Sequence, residues 1–152
     1  MKFGCVFILL AIVSCSFNAR QETLLNKATI SYINAFNEKE IMNHVASTHP
    51  NCVSFYKDQG DSVFKSKFNL KSDEKISQIL QDPTIRSSKF DKKSIHVKYQ
   101  IFLIENKLSD IAAEKIDLFA ISDDEGETWF FMESKDYYND EVFAQKYRLI
   151  RK

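Results

Sequence analysis

Ile95-His96-Val97-Lys98-Tyr99-Gln100-Ile101-Phe102-Leu103-Ile104 opens as an alternation of apolar and polar residues, and that period of two decides the fold class. Successive side chains of a strand point to opposite faces. Ile95, Val97, Tyr99, Ile101 and Leu103 therefore share one face, and His96, Lys98 and Gln100 share the other. Phe102 and Ile104 make the second face apolar as well, which predicts cover on both sides over the later half of the strand. Downstream, Lys115 to Ser122 reads as a second strand, Asp123-Asp124-Glu125-Gly126 as a turn, and Glu127 to Glu133 as a third strand. A short helix or irregular segment is expected from Tyr137 to Lys146, and a last edge strand from Tyr147 to Ile150.

Upstream the period changes. From Glu22 to Ala46, Leu25, Ala28, Tyr32 and Phe36 recur at spacings of three and four, which is one face of a helix. The pattern breaks near Asn37, where Asn37 and Glu40 fit a capping-box restart. Ile41, Met42 and Val45 carry the apolar face on, and Pro50 ends it. The expectation is a long helix, a bend and a short helix. Val53 to Tyr56 predicts a strand, Lys57 to Ser62 a polar loop, and Val63 to Leu70 an extended segment. Ser72 to Gln81 predicts a further helix, with Ile76, Ile79 and Leu80 as its apolar face and Pro83 closing it. Helices followed by a meander of antiparallel strands make an α+β fold.

The run Tyr32-Ile33-Asn34-Ala35-Phe36-Asn37-Glu38-Lys39-Glu40-Ile41, followed by His49-Pro50 and a strand at Val53, resembles the opening of the NTF2-like superfamily, including its SnoaL-like branch. The resemblance implies one domain over residues 22–152, a cone of N-terminal helices packed in a curved antiparallel sheet around a pocket. That superfamily includes isomerases, dehydratases, cyclases, binding modules and dimerising partners, so the fold alone does not fix a function. In such a pocket Tyr32, Phe36 and Trp129 would contact a ligand, although large aromatics more often fill a core. Asp117 shares a strand face with Phe119 and Ile121. Among apolar neighbours its carboxyl would have a raised pKa and would serve as a general base. The opposing expectation pairs Asp117 with Lys98 on the neighbouring strand.

Ser122-Asp123-Asp124-Glu125-Gly126-Glu127-Thr128-Trp129 matches the Asp-box pattern S-x-D-x-G-x-T-W, a hairpin turn found in sialidases and related β-propellers. A propeller repeats its blades, and this chain has one box and no repeat, so the segment predicts a structural hairpin. Ser122 and Asp124 would bond the turn's own backbone, Gly126 would supply a positive φ, and Trp129 would pack the base. Asp123, Asp124 and Glu125 lack the spacing of an EF-hand calcium loop.

The amino terminus gives an address. Lys2 precedes an apolar run from Phe3 to Val13, shorter than the roughly 20 residues that span a bilayer. Ile12-Val13-Ser14-Cys15 resembles the bacterial lipobox, which implies removal of residues 1–14 and lipid on Cys15, with residues 15–21 as a short tether. The expected place is the bacterial cell envelope, on the periplasmic or outer-membrane side. Cys5 leaves with the signal and Cys15 is modified, so Cys52 stands alone and is expected in the core. Lysine plus arginine balance aspartate plus glutamate at 21 each over 152 residues, which leaves no basic footprint for nucleic acid. His44 and His49 are five apart, off the i, i+4 spacing of a helical metal pair. The histidines, His96 included, are thus expected at the surface or as caps, with no metal and no cofactor. Neither a glycine-rich phosphate loop nor a G-x-S-x-G elbow is present.

These readings favour a non-enzymatic lipoprotein that binds a small apolar ligand or a protein partner, with a homodimer through the open sheet face as one form of that role. The rival is a small pocket enzyme, an isomerase or dehydratase, working through Asp117.

Overall fold

The computed structural model describes residues 18–87, 93–105 and 114–148, so the lipobox-like segment and Cys15 lie outside the described residues. Asn18 opens α1 (Ala19–Asn37) with a capping box. Its Oδ1 accepts from the Gln21 amide at 2.8 Å, and Gln21 Oε1 accepts from the Asn18 amide at 3.1 Å. The helix buries Leu25, Thr29, Tyr32 and Ala35. At its far end Lys39 adopts a φ of 62°, and the amides of Lys39 and Glu40 donate to the carbonyls of Phe36 and Ala35. That is a Schellman termination, and it makes the bend. Asn37 is not the cap of α2 (Ile41–Ser47), which starts from Glu40 with no side-chain cap. Instead Asn37 reaches the sheet, accepting from the Ile76 amide at 2.7 Å and donating to the Ile76 carbonyl at 3.2 Å.

The next stretch corrects the sequence reading. Pro50 follows α2 but also sits in the first turn of α3 (Pro50–Asp58), where a missing N–H is harmless. Val53 to Tyr56 is therefore helical. A four-residue apolar run fits either period, and here Cys52, Phe55 and Tyr56, at helical spacing, face one cluster. The expected loop shrinks to a break at Gln59 and Gly60, whose φ is 104°, and α4 (Asp61–Lys67) replaces the extended segment.

The helix expected from Ser72 is strand β1 (Glu74–Ser87), antiparallel to β2 (Ile95–Glu105). Its register shifts between Ile76 and Gln78. Ile76 and Ile79, three apart, therefore oppose Leu103 and Ile101, two apart. One bulged residue converts a period of two into a spacing that reads as helical. A second shift runs from Gln81 to Ile85 around Pro83, on an outer strand where proline is tolerated.

β3 (Glu114–Ser122) and β4 (Phe130–Glu133) complete an antiparallel sheet in the order β1-β2-β3-β4. β4 begins at Phe130 rather than Glu127 because the turn extends through Trp129. Each face of the sheet carries an apolar cluster, but the face turned from α1 stays open over the later half of β2, where Phe102 is half-buried and Ile104 exposed rather than covered as the apolar pattern predicts. Toward α1, Leu25 and Tyr32 pack with Val97, Tyr99, Ile101, Leu118, Trp129 and Phe131. On the other side Phe119, Ile121 and Met132 meet Cys52 of α3 and the segment that follows α5 (Ser134–Tyr137). Tyr137 stacks on Phe119 at 3.8 Å. A 3-10 helix at Gln145–Tyr147 occupies the start of the expected edge strand, and residues 149–150 lie outside the described residues. The architecture is α+β. Among the described residues no helix is long and apolar enough to cross a membrane.

Candidate functional site

The turn after β3 uses each residue of its motif. Gly126 donates its amide to Ser122 Oγ at 2.8 Å, and Ser122 Oγ donates to Asp124 Oδ1 at 2.8 Å. Asp124 also accepts from the Thr128 amide at 2.9 Å and from the Thr128 hydroxyl. Partial burial pushes the Asp124 carboxyl up, but these donors outweigh it and hold the pKa below the usual range. Gly126 has a φ of 89°, and Trp129 Nε1 donates to its carbonyl at 3.0 Å. Asp124 is committed to the loop it closes.

Asp117 pairs with Lys98 at 2.7 Å and accepts from Gln100 at 3.3 Å. Burial pushes its carboxyl up, yet the bonds from Lys98 and Gln100 and the nearby lysines prevail and lower the pKa. The expected elevation is thus reversed, because the neighbours that matter are cations on β2 and β3 rather than Phe119. Asp117 borders an open depression of about 410 Å³ lined also by Gln100, Lys115, Ile116 and Ser134.

Tyr32 and Trp129 belong to one buried cluster, with Phe36 packed against it. Tyr32 lies 4.6 Å from Phe131 and 5.1 Å from His44, and burial raises its pKa. Phe36 meets His44 edge-on at 5.8 Å. The partly open crevice beside Tyr32 has a volume of about 20 Å³, room for roughly one water molecule. His44, Thr48, Cys52, Lys67 and Asp136 share that lining.

Sequence reasoning missed Asp136 altogether. It sits in α5 and is almost fully buried. Its Oδ1 accepts from the Tyr56 hydroxyl at 2.7 Å, and its Oδ2 pairs with Lys67 at 2.6 Å and lies 3.7 Å from Cys52 Sγ. Lys67 also approaches Glu133 at 3.5 Å. Burial, then the Asp136 charge, pushes the Cys52 thiol up to about 12, which leaves it protonated and inert at neutral pH. Burial likewise raises Tyr56.

The histidines are buried, against expectation, though His49 is also the N-cap of α3 and accepts from the Asn51 amide at 3.2 Å. His44 Nδ1 is buried without a protein hydrogen-bond partner. His96 holds a polar chain inside the second cluster. Its Nδ1 lies 2.7 Å from the Tyr137 hydroxyl and its Nε2 2.9 Å from Ser94 Oγ, which donates to Asp123 Oδ1 at 3.0 Å. Since the Ser94 proton goes to Asp123, the hydrogen-bond pattern assigns the imidazole proton to Nε2 and makes Nδ1 the acceptor from Tyr137. A serine nucleophile needs the imidazole as its proton acceptor, so this order is not a catalytic triad. His49 Nε2 stands 3.5 Å from Asp123 Oδ2, too long for a good hydrogen bond. Desolvation lowers both His44 and His96 to about 4. Among the described residues no group of three histidine, cysteine or carboxylate side chains is placed to hold a metal ion.

No family model, no curated protein and no solved structure matches the chain.

Proposed function

We propose that this chain is a lipid-anchored, non-enzymatic module of the bacterial cell envelope that binds a protein partner through its outer surface. One observation carries the reading: among the described residues, the space between α1 and the sheet is filled. Tyr32, Tyr99, Trp129 and Phe131 occupy the space between α1 and the sheet. The partly open crevice near His44 is about 20 Å³, whereas small-molecule sites run to roughly 300–1,000 Å³. The larger depression at Asp117 is open and presents Lys115, Gln100 and Asp117, the wrong lining for an apolar ligand. A committed Asp117 and a protonated Cys52 weigh against the pocket-enzyme rival.

The address rests on Ile12-Val13-Ser14-Cys15. Acyl chains on Cys15 would contribute about 0.8 kcal/mol per buried methylene, enough together to hold the domain at a membrane. For the finer fold, an NTF2-like cone is supported by the α1–α2 bend and the antiparallel sheet, while the helical Val53 segment departs from that resemblance. A homodimer is the second reading. It is favoured by exposed Leu80 and Ile104, which flank half-buried Phe102 on the sheet face turned from α1.

Native mass spectrometry of residues 16–152, purified from the native host, tests this. The expected spectrum shows a dimer or a stoichiometric protein complex without a small-molecule adduct. A retained apolar adduct overturns the filled-interior argument.

A further inference from the structure

Resting on the lipid anchor proposed above, we infer which end of the domain faces the membrane: the start of α1 and the Ser122–Thr128 turn form its membrane-proximal end. Chain length carries the argument. Cys15 precedes Ala19, the first residue of α1, by four positions, and an extended chain covers at most about 3.6 Å per residue. The acylated residue therefore stays within about 14 Å of the helix start.

The first turn of α1 is clamped to the β3–β4 turn. Gln21 Nε2 donates to the Glu125 carbonyl at 2.5 Å, and Arg20 pairs with Glu127 at 2.6 Å. The Gln21 side chain lies so close over Gly126 that a Cβ there would come within 2.8 Å of Gln21 Cγ. The Glu125 amide donates to the Lys93 carbonyl at 2.9 Å, which brings the approach to β2 to the same end. Wherever the anchor sits, this turn follows.

The opposite end stands off. α1 has 19 residues and so runs about 28 Å, and its far end is bonded to β1 through Asn37 and Ile76. The outer face of α1 exposes Glu22, Asn26, Lys27 and Asn34, with Ile30 its single large apolar residue. A helix without an apolar stripe does not lie in the headgroup layer. The turn exposes Asp123, Asp124, Glu125 and Glu127, which anionic headgroups repel, so the tether and not a contact of the turn's own keeps it near the membrane, and the Glu74 end of the sheet is held outward.

The test uses the full chain, produced in a bacterial host and reconstituted into phosphatidylethanolamine–phosphatidylglycerol vesicles that carry a nitroxide on a fraction of the headgroups. A thiol-reactive fluorophore is placed at Glu125→Cys, at Glu22→Cys or at Ser72→Cys, the last beside the outward end of β1. Cys52 is buried and stays unlabelled. Quenching at Glu125→Cys and Glu22→Cys is expected to exceed that at Ser72→Cys by at least about threefold, given the length of α1. Equal quenching, or stronger quenching at Ser72→Cys, with lipid on Cys15 shown by intact mass, overturns the assignment and leaves the anchor standing. A vesicle-free chain with no lipid on Cys15 overturns both.

Discussion

Asp117 and Asp136 each touch a lysine, at 2.7 Å and 2.6 Å, and they do different work. The Asp117 side chain is 33 % exposed and its lysine 36 %, so water screens the pair. The Asp136 side chain is 3 % exposed, and it also receives the Tyr56 hydroxyl and faces Cys52. The distances differ by only 0.1 Å. Burial decides what each pair contributes, because a charge removed from water depends on its partners alone.

Removing the buried carboxylate should have the largest effect of any change considered for this molecule. Asp136→Ala leaves Lys67 with Glu133 at 3.5 Å and the Tyr56 ring at 5.2 Å, and leaves the Tyr56 hydroxyl without its acceptor. Breaking one side of such a buried pair costs about 3–5 kcal/mol. Chemical denaturation should show a loss of unfolding free energy of that size. The double change Asp136→Leu with Lys67→Met should recover much of it, since a buried ion pair is often replaceable by apolar side chains. A loss under about 1 kcal/mol for Asp136→Ala would erase the contrast with Asp117.

The sequence made Asp117 conspicuous and Asp136 invisible for a physical reason. Alternation along β3 is local, so it assigns Asp117 to a face without knowledge of the rest of the fold. The partners of Asp136 are Tyr56, Lys67 and Cys52, which lie 80, 69 and 84 residues away, and nothing in Ser-Lys-Asp-Tyr announces them. The same rule sorts the rest. The β2 alternation and the Ser122–Trp129 turn were legible because their determinants sit within a few residues. β1 carries a helical spacing in the sequence because the bulge between Ile76 and Gln78 is set by pairing with β2. Val53–Tyr56 does not declare its helix because a short apolar run has no period of its own. His96 reads as polar-facing in the sequence, but Tyr137 at the end of α5 and Phe143 in the segment after it cover the ring.

Acid should separate the buried interior from the exposed pair by pH window. Desolvation depresses His44 and His96 to about 4 in the folded chain, from an ordinary 6.5. The unfolded chain then binds their protons more readily. Their contribution is complete above about pH 6.5 and is lost as pH falls toward 4, on the order of 3 kcal/mol for each histidine. The Asp117 carboxyl is lowered from 3.8, so its contribution is present above that value and is lost only below it. Denaturation midpoints should therefore drop between pH 6.5 and pH 4.5, before Asp117 titrates. A flat profile across that interval would mean that the histidines reach water in the folded state.

Asp117→Asn should change least. The amide keeps the shape and a bond to Gln100 or Lys98 while removing the charge, and exposed pairs of this kind contribute about 0.2–1 kcal/mol. The carboxyl itself, followed by NMR, should titrate below the usual aspartate value because Lys98 and Gln100 favour its ionised form over the opposing effect of partial burial. A titration midpoint above about 5 would instead mark a desolvated carboxylate with weakened donors, the state a general base requires near neutral pH. That result would invert the comparison, since Asp117 would then be the group held away from water and Lys98 would no longer screen it. A small stability change together with a depressed midpoint leaves Asp117 as a surface residue whose pairing with Lys98 ties β3 to β2.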